Sequence, residues 1–368
     1  MTISITLPKW YDLHTHLRQG ALLAPIIQSQ IDMGCCGVLA MPNTKPPTAK
    51  VFDADDLPYW SIESYLRHIK EAGGDAFDDI IVPLYLTKDT TASMIEKGAK
   101  AGVLRACKYY PPHGTTGADF GVPMDELLKG DVFKAMSDHG VVLCIHGEQH
   151  HMRGDAYFEK DSNAEDVFYR ETMPRLRDAY PDLKIACEHV TSKTAVDFVK
   201  GAGANTAASI TPQHLLYTVG DLLMGLKYHL YCLPLLKFSD DRQALRDAVT
   251  AADNTQFYAG TDSAAHTVKA TDCGCAAGCF TGGIAPQLYA QAFEEAGVDL
   301  STGAGQGAFE AFLCRNGPAF YGLKLPEARF TLVKEPQSIA PIKTQEGEIT
   351  PLPLGLGQDS VAWSVRLT

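Results

Sequence analysis

Eight short apolar runs recur along this chain, separated by stretches whose apolar residues keep helical spacing, and that rhythm leaves few folds open. The runs are residues 10–16, "GVLAMPN" (37–43), "DIIVPLYLT" (79–87), "VLRACKYY" (103–110), "VVLCIHGE" (141–148), "KIACEHV" (184–190), "NTAASITP" (205–212) and "QFYAGTDSA" (256–264). Between them, segments such as "APIIQSQIDMG" and "TTASMIEKGAKAG" end at glycine, a common helix stop. Strand–helix alternation implies a parallel sheet. No Gly-rich nucleotide-binding turn follows the first run, so the α/β pattern predicts a closed (β/α)8 TIM-like barrel rather than a doubly wound sheet. "YCLPLLKF" (231–238) is a further apolar run that competes as a strand. Past about residue 325 prolines multiply and the alternation stops, which predicts a C-terminal extension, 325–368, packed on the barrel within one domain spanning 1–368.

A chain of 368 residues, 45% hydrophobic and 21% charged, can fill such a barrel. Its formal net charge of -12 argues against nucleic acid or an anionic membrane as partner, whereas a small anionic substrate needs only a local cluster of cations. "MTISITLPKW" has no basic segment leading into an apolar one, and nowhere do 18 apolar residues run together, so a cytoplasmic protein is expected. Ten cysteines in that setting are expected to be reduced thiols, most of them small core residues such as Cys144 and Cys187.

Barrel active sites lie at the C-terminal ends of the strands. There the runs place His14, His16, Asn43, Lys108, His146, His189 and Asp262. Residues i and i+2 of a strand point the same way, so His14 and His16 aim both rings at one point, as two neighbouring metal ligands do. Singly, each histidine reads as a hydrogen-bonded core residue; jointly, one metal centre explains residues from five strands. Lys108 fits two roles: paired with a nearby acid as an ammonium, or, once its amine has reacted with carbon dioxide, a carbamate anion able to bridge two cations. "HGEQH" (146–150) is not the helical zinc-protease motif, because Gly147 stands where the glutamate must be. "DCGCAAGC", with Cys273, Cys275 and Cys279, lacks a fourth thiolate nearby and reads better as a small-residue loop that lets backbone approach a ligand.

With "DLHTHLR", "MPNTKPP", "CKYYPPHGTT", "CIHGE", "CEHVTS", "YCLPLLK", "GTDSAAH", "CGCAAGC" and "NGPAFYGL" in order along nearly the whole chain, the sequence resembles the amidohydrolase superfamily, specifically its free-standing bacterial (class II) dihydroorotases. The resemblance implies two zinc ions per subunit, His14 and His16 on one, His146 and His189 on the other, and carbamylated Lys108 bridging. It implies Asp262 as a ligand of the first metal and as proton shuttle. Manganese, cobalt or iron suit the same donors. Substrate contacts are implied for Arg18, Asn43, His146, the backbone of Leu233, His266, and the small-residue loop at Ala276 and Ala277, with Thr115 and Thr116 in a loop that closes over the substrate. That loop carries one alanine more than the family pattern, which leaves open whether Ala276 or Ala277 meets the substrate. The implied reaction is the reversible cyclisation of N-carbamoyl-L-aspartate to L-dihydroorotate and water, in a cytoplasmic homodimer. The nearest alternative is a cyclic amidase of hydantoins or dihydropyrimidines, whose substrates lack the carboxylate that Arg18 grips.

Overall fold

In a computed structural model that describes residues 3–115, 117–272 and 274–367, the alternation closes into a (β/α)8 barrel. Its strands are Trp10–His16, Cys35–Ala40, Asp79–Ile81 continued by Leu84–Tyr85, Ala106–Tyr109, Val142–His146, Ile185–Glu188, Thr206–Ile210, and Phe257–Ala259 continued by Ser263–Ala264. Every neighbouring pair is parallel, and Ser263 and Ala264 pair with Thr15 and His16 to complete the ring. The third strand is split at Val82 and Pro83, where proline supplies no N–H to a ladder. All eight expected runs thus lie in the barrel, each trimmed where its chain turns out toward a loop.

The strands read as continuous apolar runs because both faces are buried. Inward residues, among them Tyr11, Leu13, Leu39, Val142, Cys144 and Tyr258, form one buried cluster inside the barrel. Outward residues such as Val38, Leu143 and Ile185 join Ile26, Ile69, Ile95, Val196 and Leu288 of the surrounding helices in a second, larger one. Helix entry is chemically marked. Ser61, Thr91, Ser192 and Thr211 each accept a hydrogen bond from the backbone N–H three residues on. Cys144 and Cys187 are fully buried free thiols, as expected. Among the described residues no helix is long and apolar enough to cross a membrane.

Two features differ from the sequence reading. Residues 231–238 form no strand: Pro234 lacks an N–H, and neighbouring carbonyls are taken by side chains, Pro234 O by His214 Nε2 at 3.1 Å and Leu235 O by Lys237 Nζ at 3.0 Å. The C-terminal extension is also more ordered than its prolines suggest. Arg329–Val333 lies antiparallel between Ser4–Pro8 and Ser364–Leu367, so both chain ends share one three-stranded sheet. Its apolar residues Ile5, Leu7, Phe330 and Leu332, with the adjacent Trp363, join the outer core cluster.

Gly37 marks how tightly the barrel's second strand is packed. A Cβ there would lie 2.5 Å from the Tyr11 ring and 2.7 Å from the Asp79 carbonyl oxygen, which is backbone and cannot swing aside. Gly37→Ala is expected to destabilise the fold by roughly 1–3 kcal/mol, read as a lower urea midpoint at unchanged slope; an unaltered midpoint would show that the strands can spread.

Candidate active site

The strand ends bring the ionisable residues together at one mouth of the barrel. Asp262 Oδ1 lies 3.2 Å from His14 Nε2 and 3.0 Å from His16 Nε2, so the i, i+2 histidine pair does aim at one point. The His189 ring stands 4.8 Å from that of His14 and 4.7 Å from that of His146, centroid to centroid. Potential ligand atoms of His14, His16 and Asp262, and likewise of His14, Glu188 and His189, lie within 4.8 Å of one another. His146 enters neither group. Its Nε2 is 2.7 Å from Glu148 Oε2, and if it donates that hydrogen bond the ring's lone pair is on Nδ1.

Lys108 is wholly buried, bonded to Glu188 Oε2, with the Tyr110 ring 4.9 Å away. The acid-paired reading of this lysine is therefore the one seen here. Glu188 Oε1 is 3.2 Å from His14 Nδ1 but lacks hydrogen-bond geometry, and His14 Nδ1, Glu188 Oε1 and His189 Nδ1 are all buried without a hydrogen bond. Such orphaned polar atoms are costly, and their grouping at one point suits a cation. Burial lowers the pKa of His16, and burial with His146 nearby lowers that of His189 strongly, which keeps both rings in the neutral, lone-pair form. Burial pushes Asp262 up, yet hydrogen bonds from His14 and His16 overcome it and hold the carboxyl well below its usual range.

Beside this cluster lies an inner recess lined by Arg18, Asn43, Thr115, Leu233, Asp262 and Ala277, opening beside an outer cleft of about 430 Å³ that adds Lys45 and Tyr65. Arg18 Nε donates to Ala265 O at 2.9 Å, and its Nη2 is 3.0 Å from His266 Nε2, which is also 2.7 Å from Ala277 O. Burial, then the adjacent guanidinium, pushes His266 down to about 3, so it stays neutral. Asn43 Oδ1 is 2.8 Å from His16 Nδ1, coupling the recess to the histidine cluster. Ala277, not Ala276, faces the recess; Ala276 has both its N–H and its carbonyl bonded to Lys269. Thr116 lies outside the described residues, as does Cys273. The cysteine loop holds no metal group among the described residues, and Cys279 Sγ donates to His229 O at 3.1 Å.

Three of these residues hold left-handed backbone that non-glycine residues seldom adopt: Arg18 (φ 64°), His189 (φ 41°) and Asp262 (φ 48°). Such strain costs of order 1–3 kcal/mol each and persists where surrounding structure over-determines it. Motif reading passed over the groups that do the holding: Asp12, Glu148, Glu165, Glu188 and Lys269. A signal was there, since Glu148 and Glu188 sit within two residues of a candidate ligand in strand-end motifs, and a buried carboxylate needs a partner. Glu165 accepts from Thr191 N at 2.8 Å, Ser192 N at 3.0 Å and the Thr191 hydroxyl, pinning the loop that follows His189, with Lys237 Nζ 4.0 Å away.

Comparison with known proteins gives a consistent result. The dihydroorotase of Halorhodospira halophila is 38% identical over 370 residues, 99% of each chain, and that of Pseudomonas fluorescens is 38% identical over 365 residues, 97% of each. Among solved structures, dihydroorotase of Saccharomyces cerevisiae in complex with 5-fluoroorotic acid superposes with a TM-score of 0.85 at 27% identity over 99% of both chains. Campylobacter jejuni dihydroorotase follows at 0.83 and 25%, covering 100% of this chain and 98% of that one. An L-hydantoinase of Arthrobacter aurescens, at 0.73 and 14% identity over 98% of this chain and 84% of its own, shares the fold. No family model matches the sequence.

Burial raises the Glu165 carboxyl to about 7, against the opposing pull of Lys237 and Thr191. A carboxyl with a raised folded-state pKa contributes stability that is fully present below its unfolded value and lost as pH rises through the folded one. Between pH 5 and pH 8 the wild type should therefore lose up to ~3 kcal/mol of stability relative to Glu165→Gln, measured by urea denaturation at both pH values. A difference that stays flat would mean that Lys237 keeps Glu165 ionised throughout.

Proposed function

The chain belongs to the dihydroorotase family, and from that premise we propose how its residues carry the family's reaction, the reversible closure of N-carbamoyl-L-aspartate to L-dihydroorotate and water in pyrimidine biosynthesis. The observation that carries the assignment of roles is the inner recess, where a guanidinium, a carboxamide and a single carboxylate, Asp262, line one space. Both reactants keep a carboxylate that takes no part in the chemistry. Arg18 grips it bidentately, its orientation fixed by Ala265 O, and Asn43 donates to it while orienting His16. Backbone at Leu233 and Ala277, with neutral His266, holds the ring, and Thr115 lies over it to exclude water.

In the hydrolytic direction, Asp262 accepts the proton of the attacking water and passes it to the departing ring nitrogen. The donor groups at the mouth fit two divalent cations: imidazoles, of which His16 and His189 are held neutral by burial, an ionised carboxylate, and buried polar atoms without partners. We assign His14, His16 and Asp262 to one ion, and His146 and His189 to the other, with Glu148 orienting His146. Lys108, as a carbamate, would turn a buried cation into an anion between them. Forming it from the ammonium and carbon dioxide releases two protons: Glu188, already bonded to that nitrogen, is placed to receive one, and the other goes to bulk buffer. Zinc suits these donors; bound there, the ions would lower the pKa of a water toward neutrality and polarise the amide carbonyl. We read the protein as one domain, 1–368, acting on its small anionic substrate in the cytoplasm as a homodimer. Ring closure turns a dianion into a monoanion and consumes a proton, so acid favours synthesis and alkali favours hydrolysis.

Elemental analysis of protein purified without chelator, with L-dihydroorotate hydrolysis assayed on the same sample, should show about two metal ions per chain and turnover abolished by chelator. Arg18→Met should lower kcat/KM for dihydroorotate by ~10²–10³ while leaving any turnover of uncharged dihydrouracil or hydantoin no worse. Metal without dihydroorotate turnover, or a methionine variant that still turns it over normally, would overturn this assignment.

A further inference from the structure

Lys269 takes no part in the reaction proposed above, yet its ammonium joins the two loops whose backbone faces the recess. An ammonium has three N–H donors, and here three carbonyls take them: Tyr231 O at 3.0 Å, Ala276 O at 2.5 Å and Gly278 O at 2.6 Å. The same two loops are joined once more by Gly278 N, which donates to Tyr231 O at 2.9 Å, and the lysine's own carbonyl accepts from Ala276 N at 2.8 Å. The second contact closes the base of the short hairpin formed by Ala270–Thr271 and Gly274–Cys275. Among the described residues no carboxylate lies within ion-pair distance of Lys269, although the side chain is partly buried and burial lowers its pKa. The charge is therefore compensated by carbonyl dipoles.

The residue between the two captured carbonyls of the hairpin loop is Ala277, whose carbonyl turns to His266 and which lines the recess. Two residues beyond Tyr231 is Leu233, which lines the same recess. The lysine thus reaches both loops one or two residues from the points that face substrate. Ala276 is spent on the lysine, and Ala277 is left to line the recess.

We infer that Lys269 is a positioning residue for substrate binding, its ammonium setting the spacing between the backbone at Leu233 and at Ala277. This rests on the dihydroorotase reading. Backbone contacts to the substrate ring act alike before and during the reaction, so losing their spacing weakens binding rather than the chemical step. The metal-loaded enzyme is assayed with L-dihydroorotate, and orotate, a planar ring of the same charge, is titrated by calorimetry. Lys269→Met should raise KM and the orotate Kd by roughly tenfold or more, with kcat within about threefold and metal content unchanged. Lys269→Gln, which keeps two donors, should give an intermediate rise, and Lys269→Arg should recover most of the loss. Unaltered KM and orotate affinity in the methionine variant overturn the inference; so does a loss in which kcat and metal content fall while KM rises, which would make Lys269 a fold element only. Should the methionine variant fail to fold, wild-type KM and orotate affinity in Lys269→Gln overturn it. A wild-type protein that does not turn over dihydroorotate defeats the functional reading instead, and the two failures are distinct.

Discussion

The carboxylate of Asp12 ties the first barrel strand to the last, and the mouth of the barrel depends on that tie. Its Oδ1 accepts from Thr261 N at 2.9 Å, and its Oδ2 accepts from the Thr261 hydroxyl at 2.6 Å and from Gln30 Nε2 at 3.0 Å. Directly beyond, Asp262 N donates to His14 O at 2.8 Å. A fully buried acid is expensive, and burial raises this one to about 6 against the pull of the Thr261 bonds. What it secures is geometric. Asp262 on strand eight stays within 3.2 Å of both His14 and His16 on strand one, although nearly 250 residues separate them in the chain.

The same logic repeats around the mouth. Three of the histidines at the mouth have a ring nitrogen beside an oxygen: His16 Nδ1 has Asn43, His146 Nε2 has Glu148, and His14 Nδ1 has Glu188 close by. Partners of this kind set tautomer and ring direction, and they hold the cluster of side chains in place. The rigidity extends to the backbone. Left-handed φ at Arg18, His189 and Asp262 is tolerated because strand pairing below and loop pinning above, by Glu165 after His189, leave those residues no other course.

Much of this was legible in one dimension. Strand runs are visible because a parallel barrel buries both faces of each strand, which writes continuous apolar segments into the chain. His14, His16, His146, His189 and Asp262 stand out because ionisable groups at the ends of such segments violate the local pattern. Other parts left a weaker trace. The run around Pro234 looked like a strand, since apolarity does not reveal which carbonyls side chains will claim. The strands at Ser4–Pro8, Arg329–Val333 and Ser364–Leu367 were hidden, because the sheet they form depends on bringing Ser4–Pro8 to a partner more than 300 residues away.

Lys108 and Lys269 show where the boundary falls. The residue types, their order and their period of two along a strand suffice for the barrel and for gathering His14, His16, His146, His189 and Asp262 at one mouth of it, because each follows from short-range geometry that every strand obeys. They do not say that Lys108 meets Glu188, that Asp12 closes the ring, or that Lys269 collects carbonyls from two loops. Those are encounters between distant segments, and a buried charge is stabilised or not by neighbours that only the closed barrel brings within 3 Å or so.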